Sequence, residues 1–220
     1  MPRSRATAPP TLICFVRHGT TPTTGKVLPG RARGLHLAEQ GRAEAEATAA
    51  RLAALDRPIV LYSSPLERAR ETAAPIARAL ASRVAVERGL LECDFGEWTG
   101  RELAALRKLP EWQAVLQHPS TFRFPGGESF AELEARVAAT VERLVARHPG
   151  EVVVAVSHAD PIKVAIGQAL GAPLDLIQRI HVSPASVSAV AYGSGAPVVL
   201  AQNTTSELAE IGLARPRRRS

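Results

Sequence analysis

Arginine and histidine side chains follow three separate apolar runs of the sequence. Arg17 and His18 come directly after the first run, and Arg68 lies a few positions beyond the second. His158 comes shortly after the third run. Arginine offers paired N–H donors that match phosphate oxygens, and a neutral imidazole can attack phosphorus. These residue types predict a phosphate site with a histidine nucleophile, whereas the structural alternative is a histidine that merely caps a strand end.

Transfer of a phosphoryl group to histidine also needs an acid that protonates the departing oxygen. Glu92, Asp94 and Glu97 lie within one short segment of the chain. We expect one of them to be the proton donor, although each of them alone is more commonly a surface acid.

A serine and a glutamate three positions later predict the start of a helix beside the second run. Ser64 and Glu67 have the spacing of a capping box, and Pro65 would then occupy the first helical position. Arg68 would lie in the first turn, close to the site. Arg70 would lie about 200° around the helix from Arg68 and face away from the site.

A second helix start is predicted after His158. Asp160 and Pro161 are typical of an N-cap residue and the first helical residue. The backbone N–H groups at such a helix start favour an anion. We interpret Asp160 as a plain cap in preference to a catalytic group.

Hydrophobic patterning predicts the elements that carry these side chains. The apolar runs are continuous and rich in β-branched residues, as in strands that are covered on both faces. They occupy residues 12–16, 59–62 and 152–156. Helical periodicity occupies residues 39–55, 66–81 and 130–147. This alternation predicts an α/β fold, a three-layer α/β/α sandwich with a largely parallel central sheet, in which ligands bind at the carboxyl ends of the strands.

Glycine and proline mark the other predicted features. Several of them interrupt residues 93–128, which we interpret as a small helical cap inserted into a single domain at residues 11–210. The cap aromatic residues could line the site or form the core of the cap. They are Trp98, Trp112, Phe122 and Phe124. Residues 186–192 and 197–202 flank a Gly-rich turn and predict a β-hairpin. Residues 1–10 and 211–220 are predicted to be flexible tails.

The positive charge of the chain lies at its ends. The formal net charge is +6, and six arginines lie in the first ten and last ten residues, where no acid occurs. Residues 11–210 are therefore neutral, which makes nucleic acid an unlikely partner and leaves an arginine-tail contact as the alternative. No apolar run approaches the roughly 20 residues that cross a membrane.

Cysteine usage and the first residues of the chain favour a cytoplasmic location. The two cysteines, Cys14 and Cys93, are too few for a disulfide framework and too far apart for a metal motif. The first residues do not resemble a secretory signal. A homodimer is possible on sequence grounds.

Five motifs together resemble those of the histidine phosphatase superfamily, also called phosphoglycerate mutase-like. In chain order they are FVRHGTT, SSPLERARETA, LLECDFGEWTG, PGGESF and VVVAVSHADPI. The resemblance covers residues 12–192. It implies that His18 is the nucleophile that becomes phosphorylated and that Glu92 is the proton donor. It also implies a phosphate-binding set made of Arg17, His18, Arg68, His158 and Ala159.

The resemblance further implies substrate contacts in the first loop and in the GES element. These contacts would come from Thr24, Arg31 and Glu128. Many relatives have other residues at the positions of Thr20, Thr24 and Ala159, and none of these differences removes a catalytic group. Members of the family need no metal, and we expect neither a metal nor a cofactor here.

The sequence thus predicts a phosphatase-type enzyme, a phosphomonoester hydrolase that forms a phosphohistidine and acts on a small phosphorylated metabolite. One alternative is a cofactor-dependent phosphoglycerate mutase, although the acid motif here is ECDFG where classical mutases have ERHYG. Another alternative is a noncatalytic phosphate-binding protein, which the retention of the catalytic set disfavours.

Overall fold

A six-stranded mixed sheet forms the centre of the protein in the computed structural model, which describes residues 9–55 and 58–205. The strands are β1 (Thr11–Arg17), β2 (Ile59–Ser63), β3 (Val84–Val86), β4 (Val152–Ser157), β5 (Val187–Tyr192) and β6 (Val198–Thr204). Their order in the sheet is β3-β2-β4-β1-β5-β6. The first four strands in this order are mutually parallel, and β5 and β6 are antiparallel to their neighbours. The predicted largely parallel sheet and the predicted hairpin are confirmed.

Helices cover both faces of the sheet. They are α1 (Glu39–Ala53), α2 (Glu67–Ala79), α3 (Leu103–Leu106), α4 (Glu111–Gln117), α5 (Phe130–Arg147) and α6 (Ala159–Ala169). Side chains of β1 alternate between the faces. Ile13 and Phe15 pack in the core beneath α5 and α6, whereas Leu12, Cys14 and Val16 pack in the core beneath α1 and α2. The predicted α/β/α layering is confirmed.

Helix α5 has the bounds that its periodicity predicts. Its apolar residues recur every three or four positions and are all buried. They are Phe130, Leu133, Val137, Val141 and Leu144. A capping box fixes its start, because the Ser129 hydroxyl accepts a hydrogen bond from the Glu132 backbone and the Glu132 carboxylate accepts one from the Ser129 backbone.

The capping box predicted at Ser64 is wrong. Helix α2 begins at Glu67, and its N-cap is Leu66, with no side-chain cap hydrogen bond. The Ser64 hydroxyl lies 2.8 Å from His158 Nε2, and it accepts a longer hydrogen bond of 3.4 Å from the Leu66 backbone, which precedes the helix. The predicted orientation of the first turn still holds, since Arg68 is buried and Arg70 is exposed.

The N-cap predicted at Asp160 is also wrong. Helix α6 begins at Ala159, and its N-cap is His158. Asp160 lies in the first turn, where its carboxylate accepts a hydrogen bond from the Lys163 ammonium at 3.0 Å. The ion pair with Lys163 gives this carboxylate a partner other than the backbone N–H groups.

Strand β3 has no counterpart in the sequence prediction. Its three residues, Val84–Val86, are apolar but exposed at the edge of the sheet, and the run is shorter than those of the buried strands. The predicted flexible tails fall almost wholly outside the described residues, which include only Pro9 and Pro10 of them. Residues 93–128 contain α3, α4 and two short 3-10 turns, at Gly96–Trp98 and Pro119–Thr121.

Two glycines let helix α1 approach the loop that follows β1. A side chain at Gly41 would overlap the Thr20 backbone, and one at Gly19 would overlap the Gly41 carbonyl group. We expect Gly41→Ala to lower the free energy of unfolding by about 1 to 3 kcal/mol, because backbone atoms cannot move aside as a flexible side chain can. Denaturant unfolding measures this effect. Gly195→Ala, where a Cβ meets no atom within 4 Å, is the matched control, and equal stability of the two variants would contradict the prediction.

Candidate active site

The ends of three parallel strands bring the predicted side chains together. Arg17 ends β1 opposite Ser157 at the end of β4, so His18 and His158 each follow these paired residues. The two imidazole ring centroids are 5.2 Å apart, and the rings are inclined at 58°. The strand register therefore places both histidines in one pocket.

The hydrogen bond of His18 fixes which ring nitrogen is available. His18 Nδ1 lies 2.8 Å from the Gly19 carbonyl oxygen. A carbonyl oxygen can only accept, so Nδ1 carries the proton and Nε2 keeps its lone pair. Burial, together with the charges of Arg68 and Arg17, lowers the pKa of His18 to about 3. The ring is therefore neutral near pH 7, as a nucleophile must be.

Two arginines beside this ring keep N–H groups that have no partner among the described residues. Arg17 donates one hydrogen bond to the Val182 carbonyl at 2.7 Å, and Arg68 donates one to the Gly30 carbonyl at 2.7 Å. Arg17 Nε and Arg68 Nε and Nη1 are buried and unpaired within the described part of the chain. Buried donors without partners are uncommon in folded proteins. Unpaired buried donors on two adjacent guanidinium groups are therefore typical of a site that binds an anion.

His158 contributes a second buried imidazole and stands at a helix start. Its Nε2 is hydrogen-bonded to the Ser64 hydroxyl at a distance of 2.8 Å, and its Nδ1 has no partner within residues 9–55 and 58–205. Burial and the charge of Arg68 hold the pKa of His158 well below its usual value. As the N-cap of α6, His158 precedes Ala159, so first-turn backbone N–H groups lie next to the arginines.

Glu92 is a buried carboxyl group in the same cavity. Its side chain is 6% exposed, and it accepts a hydrogen bond from the Cys93 backbone at 3.0 Å. Burial and the nearby charge of Asp160 raise the pKa of Glu92 to about 7, against the opposing effect of Arg68. Glu92 is therefore protonated below about pH 7, which is the state that a proton donor needs.

The other predicted contact residues lie in two different places. Thr24 lines the cavity, and its hydroxyl accepts a hydrogen bond from the Thr21 backbone. Arg31 and Glu128 do not line it. Arg31 donates to the Glu92 carbonyl at 2.9 Å and to the Glu128 carboxylate at 3.0 Å.

Arg136 of α5 completes this half-buried network and was not predicted from the sequence. It makes two hydrogen bonds of 2.9 Å to the Glu128 carboxylate and also donates to the Leu91 carbonyl. Together with Arg31, it holds the backbone on both sides of Glu92. The only available signal is an arginine next to the buried apolar stripe of α5, which alone indicates no specific partner.

The cavity above these groups has a volume of about 310 Å³. Arg17, His18, Glu92 and Ala159 line its inner end, and residues of the loop after β1, of the cap, of α6 and of the segment after α6 line the rest. The cap aromatic residues have both of the expected roles. Trp98 stacks on Trp112 and also contacts Phe122 and Phe124, which pack edge to face on each other. Trp112 and Phe124 also line the cavity.

Two further observations concern metal binding and membrane spanning. Within the described ranges, no group of histidine, cysteine and acidic side chains has an arrangement that could hold a metal ion. No helix of the described part of the chain has the length and apolar character needed to cross a membrane.

Comparison with known proteins shows the family to which the chain belongs. Residues 13–205 match the Histidine phosphatase superfamily (branch 1). A bifunctional protein of Mycobacterium tuberculosis is 36% identical over 207 residues, or 90% of this chain and 55% of that protein. The chain thus spans only about half the length of that relative. Phosphoserine phosphatase 1 of Hydrogenobacter thermophilus is 33% identical over 187 residues, or 83% of this chain and 88% of that protein.

A solved structure shows the same fold. It is a mutant phosphoserine phosphatase of Entamoeba histolytica in complex with phosphoserine, with a TM-score of 0.81 and 25% sequence identity. The match covers 90% of this chain and 99% of that chain. Two of these three relatives are thus named as phosphoserine phosphatases.

Proposed function

Because the chain belongs to branch 1 of the histidine phosphatase superfamily, we propose that it is a phosphomonoester hydrolase that acts through a phosphohistidine on a small phosphorylated metabolite. The observation that carries the proposal is the Nδ1 hydrogen bond of His18, which leaves Nε2 free beside two guanidinium groups with unpaired donors. A neutral nucleophile inside a cationic pocket is suited to a bound phosphoryl group.

The first step is an in-line displacement at phosphorus. The lone pair of His18 Nε2 forms the new N–P bond while the bond from phosphorus to the ester oxygen breaks. The Glu92 carboxyl group gives its proton to that oxygen, so the leaving group departs as an alcohol. Arg17 and Arg68 stabilise the charge that spreads over the equatorial oxygens.

The second step returns the enzyme to its starting state. The Glu92 carboxylate takes a proton from water while the water oxygen attacks phosphorus. The N–P bond breaks, its electron pair returns to His18 Nε2, and inorganic phosphate leaves. Each step is easier than direct attack of water on the ester, which is the advantage of covalent catalysis.

The proton required from Glu92 predicts a pH dependence. Because its pKa is raised to about 7, we expect kcat for alkyl phosphates to fall as the pH rises through about 7. Protonation of His18 does not limit activity until near its pKa of about 3. Steady-state rates across this range, with an alkyl phosphate as the substrate, measure the profile.

Glu92→Gln separates proton donation from a structural effect. The variant cannot protonate the leaving group, so we expect a large loss on alkyl phosphates and a much smaller loss on p-nitrophenyl phosphate, whose leaving group needs no proton. Equal losses on both substrates, or native activity that rises steadily into the alkaline range, would show that Glu92 is not the acid.

Hydrolysis is tested by following the product in the presence of a metal chelator. We expect inorganic phosphate to be released from phosphorylated metabolites, in line with relatives that are named phosphoserine phosphatases. Incubation with 3-phosphoglycerate and a bisphosphoglycerate primer tests the mutase alternative. Isomer formation without phosphate release would replace the hydrolase proposal.

A further inference from the structure

The cavity has two unlike walls beyond its phosphate-binding end. One wall is apolar and is made by residues of the cap helices α3 and α4. Its principal members are Leu103, Trp112, Val115 and Leu116. A second wall is polar and is made by Asp160 and Lys163 of α6 and by Gln178 of the 3-10 turn Leu174–Arg179. A leaving group in the cavity would contact both walls.

Lys163 is held in place by its neighbours on the polar wall. Its Nζ lies 3.0 Å from the Asp160 carboxylate and 2.9 Å from the Gln178 side-chain carbonyl oxygen. The Lys163 and Asp160 side chains are only 19% and 14% exposed. An ammonium group has three N–H donors, so one donor remains without a partner among the described residues.

From its position on α6, Lys163 lies beside the space for the leaving group and not beside the phosphate. Ala159 is the first residue of α6 and lines the phosphate-binding end of the cavity. Lys163 follows four residues later on the same face of the helix, which is about 6 Å farther along the helix axis. The hydrogen bonds to Asp160 and Gln178 keep its ammonium group on the polar wall.

We propose that Lys163 is a specificity-determining residue that donates a hydrogen bond to an oxygen on the leaving group, either a hydroxyl or a carboxylate, while the apolar wall packs against its carbon atoms. The proposal rests on the proposed function. Because Asp160 already balances the charge of Lys163, the contact depends on a directed hydrogen bond more than on net charge. Esters that lack such an oxygen leave the polar wall without a partner and bind more weakly.

The test measures affinity, so it does not depend on turnover. His18→Ala protein is titrated by calorimetry with 3-phosphoglycerate, glycerol 3-phosphate and propyl phosphate, which share a three-carbon chain and differ in their oxygens. We expect the oxygen-bearing esters to bind more tightly than propyl phosphate. Adding Lys163→Met is expected to weaken their binding by about 10- to 100-fold relative to propyl phosphate. Lys108→Met, at an exposed lysine of the cap, is the matched control and should preserve the preference.

The outcomes separate the two proposals. A preference for 3-phosphoglycerate alone assigns the contact to a carboxylate, and an equal preference for both oxygen-bearing esters assigns it to a hydroxyl. Equal weakening of all three ligands by Lys163→Met, or no weakening, would overturn the role of Lys163. Failure of the proposed function would appear elsewhere, as the absence of phosphate release by the native protein.

Discussion

Replacing His18 with alanine is expected to reduce kcat/KM by about 10⁴-fold or more, because the substitution removes the atom that forms the N–P bond. His158, whose ring centroid lies 5.2 Å from that of His18, remains in the variant. A loss of this size would therefore also show that His158 does not replace His18 as the nucleophile. Initial rates of p-nitrophenyl phosphate hydrolysis measure the loss.

Two controls make this result specific to the nucleophile. His118→Ala removes an exposed histidine of the cap and is expected to retain native activity. The His18→Ala protein should still bind inorganic phosphate, because the arginines and the start of α6 remain. Retention of more than about a tenth of native kcat/KM by His18→Ala would exclude His18 as the nucleophile.

Replacing Arg68 with alanine is expected to reduce kcat/KM by about 10²- to 10³-fold, which corresponds to about 3 to 4 kcal/mol of transition-state stabilisation. Arg68 is completely buried, and two of its nitrogen atoms have no partner among the described residues. These donors are fixed in place before the substrate arrives, so they stabilise developing charge without reorganisation. The same assay measures the loss.

Helix α2 supplies the matched control for this experiment. Arg70 lies two residues farther along and is exposed, so Arg70→Ala is expected to leave kcat/KM unchanged. Because Arg68 also donates to the Gly30 carbonyl, the melting temperature of each variant should be recorded. Arg68→Lys keeps the charge and loses the planar pair of donors, so it should recover only part of the activity. Equal activities of the Arg68→Ala and Arg70→Ala proteins would contradict the role of Arg68.

The buried elements of the fold could be predicted from the sequence because burial leaves a local signature. Strand β4 is a continuous run of β-branched residues, and α5 carries an apolar stripe behind a capping serine. Strand β3 is exposed and only three residues long, so its apolar run is too short to predict a strand. The cap predictions at Ser64 and Asp160 failed for different reasons. A distant residue, His158, engages the Ser64 hydroxyl, whereas Asp160 lies inside α6 and pairs with Lys163 three residues later on the same helix.

Only part of the candidate site could likewise be predicted from the sequence. Side chains that directly follow a buried strand, such as His18 and His158, could be predicted because parallel strands end at one edge of the sheet. Arg31, Glu128 and Arg136 meet across long sequence separations, and their network around Glu92 could not be predicted from spacing. The polar wall around Lys163 depends on a turn that follows α6, and its pairing with Gln178 appears only in three dimensions.

The most direct test of the proposed phosphohistidine mechanism is to identify the phosphorylated residue during turnover. The native protein is mixed with a substrate labelled in its phosphoryl group and quenched at short times under alkaline conditions, which preserve phosphohistidine, and its peptides are then sequenced by mass spectrometry. If His18 is the nucleophile, an acid-labile phosphoryl group appears on His18 before free phosphate and is absent from His18→Ala protein. A phosphoryl group on a different side chain, or full release of phosphate with no protein-bound phosphate at any quench time, would contradict this mechanism.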